Sequence, residues 1–195
     1  MKHPRILAFG GSLRAKSYNQ TIATIAAAGA RDAGAQVTVI ALRDFPLPLF
    51  DEDLEASSGM PQNAQKLKEL FLAHDGLIIA SPEYNSGITA ALKNAIDWVS
   101  RATTPGEAPL SALAGKTAAI LAASPSGYGG ARSLAQLRPF LQNIGITVIE
   151  DQVTIPLAHE AIGADGTLND ETLNQSIRTL GATLTSKMQT IANPE

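Results

Sequence analysis

The chain has no cysteine. Disulfides, thiolate-held zinc or iron–sulfur clusters and a thiol nucleophile are therefore excluded. Long apolar runs are missing as well. None exceeds about six residues, whereas a bilayer-spanning helix needs roughly 20. The opening Met1-Lys2-His3-Pro4-Arg5 leads into only a short apolar stretch before Gly10, less than a secretory signal requires. The closing Asn193-Pro194-Glu195 carries no lipidation motif,. The expectation is a cytoplasmic protein with no membrane partner. An excess of one charge is lacking too: 15 Lys and Arg face 18 Asp and Glu, a net charge of −3. The cations are scattered, without the basic footprint of a nucleic-acid binder; a small-molecule partner is favoured. His3, His74 and His159 lie far apart in sequence, and no metal site is expected.

What is present is the composition of an ordinary globular protein, 45% hydrophobic and 17% charged over 195 residues. That length can bury a core without staples. No linker rich in Pro, Gly or Ser divides it, so a single domain over 1–195 is expected. Short apolar runs at Arg5–Gly10, Gln36–Leu42, Gly76–Ser81, Thr117–Ser124 and Thr147–Ile155 have the pattern of strands buried on both faces,. Helical spacing fills the intervals: Ser17 to Ala33, Gln62 to His74, from after Ile88 to Arg101, Ala131 to Asn143 and Asp170 to Ile191,. Pro139 should kink the fourth of these or begin a new turn. Five strands alternating with five helices predict an α/β fold, one doubly wound parallel sheet with helices on both faces.

Ligands of such sheets sit beyond the carboxyl ends of the strands, at the switch point. That rule selects three loops: Gly10–Asn19, Ser81–Thr89 and Ser124–Arg132. The first reads G-G-S-L-R-A-K-S-Y-N. It approaches the triphosphate loop G-x-x-x-x-G-K-[ST], but Ala15 stands in place of the second glycine. Ser12, Ser17, Arg14 and the start of a helix at Asn19 make an anion site, because unpaired N–H groups and the helix dipole attract negative charge there. The alternative is a plain strand-to-helix turn capped by Ser17 or Asn19. A nucleotide hydrolase would also need an acidic residue at a strand end to hold magnesium; Ile146 to Asp151 has that shape loosely.

The second loop, S-P-E-Y-N-S-G-I-T, is stiffened by Pro82, and Asn85, Ser86 and Gly87 read as a turn. Backbone donors and acceptors in fixed places, with Tyr84 as a wall, suit a flat heteroaromatic ring. Asn85 and Ser86 are also expected to cap the following helix. The third loop, S-P-S-G-Y-G-G-A-R, has Gly127, Gly129 and Gly130, which permit a ligand to approach the backbone or the chain to turn tightly. Arg132 would reach an anion or remain solvated.

The run P-E-Y-N (Pro82–Asn85) followed by L-K-N-A-I-D-W (Leu92–Trp98) resembles the signature of the NAD(P)H-dependent FMN reductases of flavodoxin-like fold, a group that includes quinone, azo-dye and chromate reductases. Gly11–Asn19 is similar to that family's phosphate loop, and the third loop to its third flavin loop. The likeness runs from about Arg5 to Ile191. It implies a flavodoxin-like five-stranded sheet of order 2-1-3-4-5, non-covalently bound FMN and NAD(P)H as co-substrate. It also implies a homodimer or dimer of dimers. Hydride would pass from nicotinamide to FMN and electrons then to a flavin, quinone, azo compound or metal oxyanion, in a ping-pong scheme.

By matching positions, the resemblance implies that Ser12, Arg14, Ser17 and Asn19 hold the phosphate. Pro82, Glu83, Tyr84 and Asn85 would line the isoalloxazine, with Ser86 completing that loop, and Ser124, Gly127 and Gly130 would close the other edge. No side chain is assigned a catalytic role, since a flavin carries its own redox chemistry. The chain departs from the family at Thr89-Ala90, where many relatives carry Pro-Gly. Two alternatives remain: a flavin-binding carrier or sensor without NAD(P)H turnover, and a nucleotide hydrolase.

Other conspicuous residues are read as structural. Asp51-Glu52-Asp53 is expected to be a solvated loop and Lys16 a surface charge. Trp98 is expected to pack on its helix, which by the resemblance contributes to a dimer interface. Asp97 and Arg101 are spaced as a helical ion pair.

Overall fold

Strands β1 (Arg5–Gly10), β2 (Gln36–Ala41), β3 (Gly76–Ala80), β4 (Thr117–Ala123) and β5 (Thr147–Ile155) pair in parallel in the order β2-β1-β3-β4-β5. This computed structural model describes residues 3–192; the terminal segments Met1-Lys2 and Asn193-Pro194-Glu195, read above for targeting signals, lie outside the described residues. The fold is flavodoxin-like. Every residue of β3 and β4 is buried, which is why Leu77 to Ala80 and Ala118 to Ala123 are unbroken apolar runs with no polar alternation.

Successive side chains of a strand point to opposite faces, and the two halves of the core follow. On one face Ile6 and Ala8 of β1 pack with α1 (Tyr18–Asp32) and α7 (Glu171–Ala192), through Ile22, Ala26, Ile177 and Leu184. On the other, Leu7 and Phe9 meet α3 (Gln62–Leu72), α4 (Ala90–Val99) and α5 (Ala131–Asn143), through Phe71, Leu92 and Leu137. Helices α1 and α7 touch backbone to backbone. A Cβ on Gly29 would fall 2.0 Å from the Arg178 carbonyl oxygen, and one on Gly181 equally near that of Ala26.

The five expected helices form, and two short ones join them: α2 (Glu52–Ser58) and α6 (Ala158–Ala161). The acidic run is therefore not a loop. Asp51 is the N-cap of α2, its carboxylate accepting from the N–H groups of Asp53 (2.8 Å) and Leu54 (3.3 Å), and Glu52 and Asp53 sit at the positive end of the helix dipole. The run is solvated, as expected. Helix α5 continues through Pro139. Pro139 and Ala135, whose carbonyl loses its donor, both face solvent, where water can replace the missing bond.

Of two side-chain expectations, the pairing of Asp97 with Arg101 is corrected, whereas Trp98 packs as expected. Asp97 pairs with Lys93 at 2.6 Å, while Arg101 reaches across to Glu55 at 2.8 Å; the cation one turn before Asp97 takes the place of the one after it. Trp98 is wholly buried within its own chain. Its indole N–H donates to the Pro48 carbonyl at 2.9 Å and its ring meets Phe50 edge-on at 5.1 Å, so it has no surface to offer a partner chain. No helix among the described residues is long and apolar enough to cross a membrane.

Candidate functional site

Strands β1 and β3 are neighbours, and the connections that leave them, from β1 to β2 and from β3 to β4, run to opposite sides and open a crevice at their carboxyl ends,. The loop from Gly10 to Ser17 fills one wall. It hugs the first turn of α1: a Cβ on Gly10 would fall 2.7 Å from the Gln20 nitrogen. Ser17 caps α1, its Oγ accepting from Gln20 N–H at 3.3 Å. Ser12 Oγ accepts from Arg14 N–H at 3.2 Å. Both serines are nearly buried, at 6% and 5% exposure. The exposed Arg14 guanidinium donates to the Lys16 carbonyl at 2.5 Å and lies over the Tyr18 ring, 5.0 Å from its centroid. Lys16 is exposed, as expected of a surface charge.

Asn19, in the first turn of α1, is 3% exposed, and its side chain faces the sheet. Its Nδ2 donates to the Ala123 carbonyl at 2.8 Å and its Oδ1 accepts from the Ala123 N–H at 2.9 Å. The amide thus ties the first loop to the end of β4, and any contact of Asn19 with an anion in the cleft falls to its backbone N–H or its second Nδ2 hydrogen.

In the second loop Tyr84 and Gly87 exchange backbone hydrogen bonds of 3.1 and 3.0 Å. Asn85 and Ser86 between them both have positive φ, 52° and 68°, the signature of a two-residue reversal. They shape this turn and do not cap α4. The cap is Thr89, which accepts from Leu92 N–H at 3.1 Å. Tyr84 is left 54% exposed. Glu83 turns inward to the third loop: its carboxylate, 4% exposed, accepts from Arg132 Nε at 2.7 Å and from Arg132 N–H at 3.2 Å, and pairs with Nη2. That bonding raises the Arg132 guanidinium pKa. Arg132 also covers the Tyr128 ring at 4.5 Å. In the third loop Ser124 Oγ accepts from Ser126 N–H at 3.2 Å, and Gly130, at φ 90°, begins α5 with its Cα against Ala122.

The three loops form one cleft. Ser12, Arg14, Ser17, Asn19, Pro82, Glu83, Tyr84 and Ser124 all line it, together with Tyr18, Ala123 and Pro125, which sequence reasoning did not select. Asn85, Ser86, Gly127 and Gly130 lie outside its lining: the first two form the turn tip, Gly127 is exposed and Gly130 is buried under α5. Adjacency to Ser17 and Ser124 was the one signal that Tyr18, Ala123 and Pro125 offered.

The description NADPH-dependent FMN reductase fits residues 4–160. The chain belongs to this family. It is 37% identical over 175 residues to an NAD(P)H-dependent FMN reductase of Pseudomonas aeruginosa, with 89% of each chain covered. It is 32% identical to an NADPH:quinone oxidoreductase of Arabidopsis thaliana, over 89% of this chain and 86% of the relative. Among solved structures it resembles FerB, a flavoenzyme NAD(P)H:(acceptor) oxidoreductase of Paracoccus denitrificans, at a TM-score of 0.78 and 26% identity, covering 95% of this chain and 97% of that one. Membership makes the chain an oxidoreductase of the FMN- and NAD(P)H-dependent class.

The nucleotide-hydrolase alternative loses its metal carboxylate. Glu150 and Asp151 sit in the middle of β5, exposed, and the strand runs on to Ile155 before reaching the carboxyl edge.

Proposed function

We propose that this chain is an FMN-dependent NAD(P)H oxidoreductase that binds the FMN phosphate in the first loop and reduces a small acceptor (a flavin, quinone, azo compound or metal oxyanion) by a ping-pong scheme. The observation that carries the reading is the convergence of an anion cradle and the wall formed by Pro82 to Tyr84 in one cleft at the sheet's switch point. Ser12 and Ser17 offer hydroxyls, Arg14 a guanidinium and α1 its first N–H groups, a donor set complementary to a phosphate. Pro82 to Tyr84 and Ser124 bound the neighbouring space, which suits a planar ring. The donors fit FMN, and the cleft holds no set of nucleophile, base and orienting acid that another chemistry would need.

FMN, when bound, supplies the redox chemistry, taking hydride from nicotinamide and giving electrons to the acceptor. The chain's residues bind and orient it. Tyr84, half exposed at the rim, leaves one side of the cleft open to a stacked partner, so nicotinamide and acceptor use that face in turn.

Purified protein should be yellow and bleach anaerobically on addition of NADPH, and double-reciprocal plots at several acceptor concentrations should run parallel. Intersecting lines would end the shared-face scheme. Bound flavin that NAD(P)H does not reduce would make the protein a carrier. A colourless protein that hydrolyses a triphosphate with magnesium would overturn the whole reading.

The proposal includes a homodimer or dimer of dimers located in the cytoplasm. Leu13, 57% exposed, lines an apolar cavity of about 230 Å³ with Phe45, Leu47 and Ala91, surface that a second copy would cover. Light scattering of a micromolar solution should give a multiple of the 20.3 kDa chain mass; a monomer would refute this part alone.

A further inference from the structure

The hydroxyl of Thr89 serves two backbone groups at once. It accepts from Leu92 N–H at 3.1 Å, which closes the first turn of α4, and it donates to the carbonyl oxygen of Gly11 at 2.5 Å. Thr89 is 1% exposed, so water does not compete for either bond. A hydroxyl has a single proton to give, and Leu92 N–H needs an acceptor, so the proton goes to Gly11.

Gly11 is held from the other side as well. Its N–H donates to the Ala80 carbonyl at 2.8 Å, and a Cβ there would stand 3.1 Å from Leu92 Cβ. The glycine is clasped between the end of β3 and the start of α4. The Gly11–Ser12 peptide is trans, as are all the peptides described. In a planar trans peptide the carbonyl and the following N–H point in opposite directions. Drawing the Gly11 carbonyl onto Thr89 therefore turns the Ser12 N–H away from α4. Ser12 lines the cleft and Thr89 does not.

We propose that Thr89 is a positioning residue for the phosphate: by fixing the Gly11–Ser12 peptide it presents the Ser12 N–H to an anion in the cleft and so sets the affinity for FMN. The inference rests on the FMN reading above.

The test compares FMN with riboflavin, which has the ring but no phosphate, by fluorescence titration of the apoprotein. Thr89→Val should weaken FMN by about tenfold, the scale of one lost hydrogen bond, and leave riboflavin unchanged. Thr89→Ser should return FMN binding to within roughly threefold of wild type. Unchanged FMN affinity in Thr89→Val, a parallel loss for both flavins, or failure of serine to rescue would each overturn the inference. If Thr89→Val does not fold, Thr89→Cys replaces it; its thiol is a weak donor, and FMN affinity equal to wild type would be equally fatal. A wild-type protein that binds no FMN would instead sink the flavin reading itself.

Discussion

The side-chain amide of Asn19 is bonded at both ends to one residue, Ala123, across 104 positions of sequence: 2.8 Å to its carbonyl oxygen and 2.9 Å to its N–H. Ala123 closes β4 and is 2% exposed. Asn19→Ala leaves a buried donor and a buried acceptor without partners, at about 1–3 kcal/mol each. With roughly 2–4 °C of melting temperature per kcal/mol in a chain of this size, the apoprotein should melt at least about 4 °C lower. FMN binding should weaken with it, because the first loop loses its anchor to the third. Calorimetry of the apoprotein decides the matter, and a melting point within about 1 °C of wild type would refute it.

Glu83 and Arg132 join the second and third loops as Asn19 joins the first and third. The carboxylate is nearly buried while the guanidinium is half exposed, so the two single substitutions are not equivalent. Arg132→Ala strands a buried charge, which is worse than removing the pair. Glu83→Gln in the Arg132→Ala background should therefore recover FMN affinity that Arg132→Ala loses. A double-mutant cycle on the FMN dissociation constant measures the coupling; strictly additive effects would mean that the pair does not hold the loops together.

Arg14 and Lys16 are both cationic and exposed, but only Arg14 lines the cleft. Arg14→Ala should weaken FMN by about tenfold or more, as expected for a charge-assisted bond. Lys16→Ala should change FMN affinity by no more than about twofold, as for a surface charge screened by salt. Loss of all FMN from Lys16→Ala would reassign the phosphate to the lysine and restore the triphosphate-loop likeness.

The sheet was legible because its strands are buried on both faces: apolar runs such as Leu77 to Ala80 and Ala118 to Ala123 have no helical spacing to confuse them. The cleft was legible through the carboxyl-edge rule, which gathered Ser12, Pro82 and Ser124 without any knowledge of contacts. Short elements were not. Helix α2 buries no residue, so it leaves no apolar period to read. The ties between loops were equally hidden. Nothing local to Asn19 says that its amide turns to Ala123, and the turn residues Asn85 and Ser86 drew the expected cap away from Thr89. Pairing of Asp97 with Arg101 failed for a similar reason: Lys93 lies one turn the other way, and Glu55 draws Arg101 off.

Glu107 gives a pH dependence with a definite sign. Its carboxylate pairs with Lys68 and accepts from Ser111 Oγ, from Thr103 N–H at 2.7 Å and from Thr103 Oγ1 at 3.0 Å. Lys68 is itself 2% exposed and also donates to the Arg101 carbonyl at 2.6 Å. These donors, Lys68 foremost, hold the Glu107 carboxyl well below the usual carboxylate range in the folded chain. In the unfolded chain it titrates near an ordinary value of about 4.3. As pH falls through that value, the unfolded state takes up the proton first and gains on the folded one. The stability that ionised Glu107 contributes is thus fully present above about pH 5 and drains away below about pH 4. Glu107→Gln keeps an acceptor but carries no charge to titrate. The urea midpoint of wild type should exceed that of Glu107→Gln by a constant margin between about pH 7 and 5, and the margin should shrink at about pH 4 and again at about pH 3. A margin that stayed level through the acid range would show that Lys68 is held by geometry alone and not by the charge of Glu107.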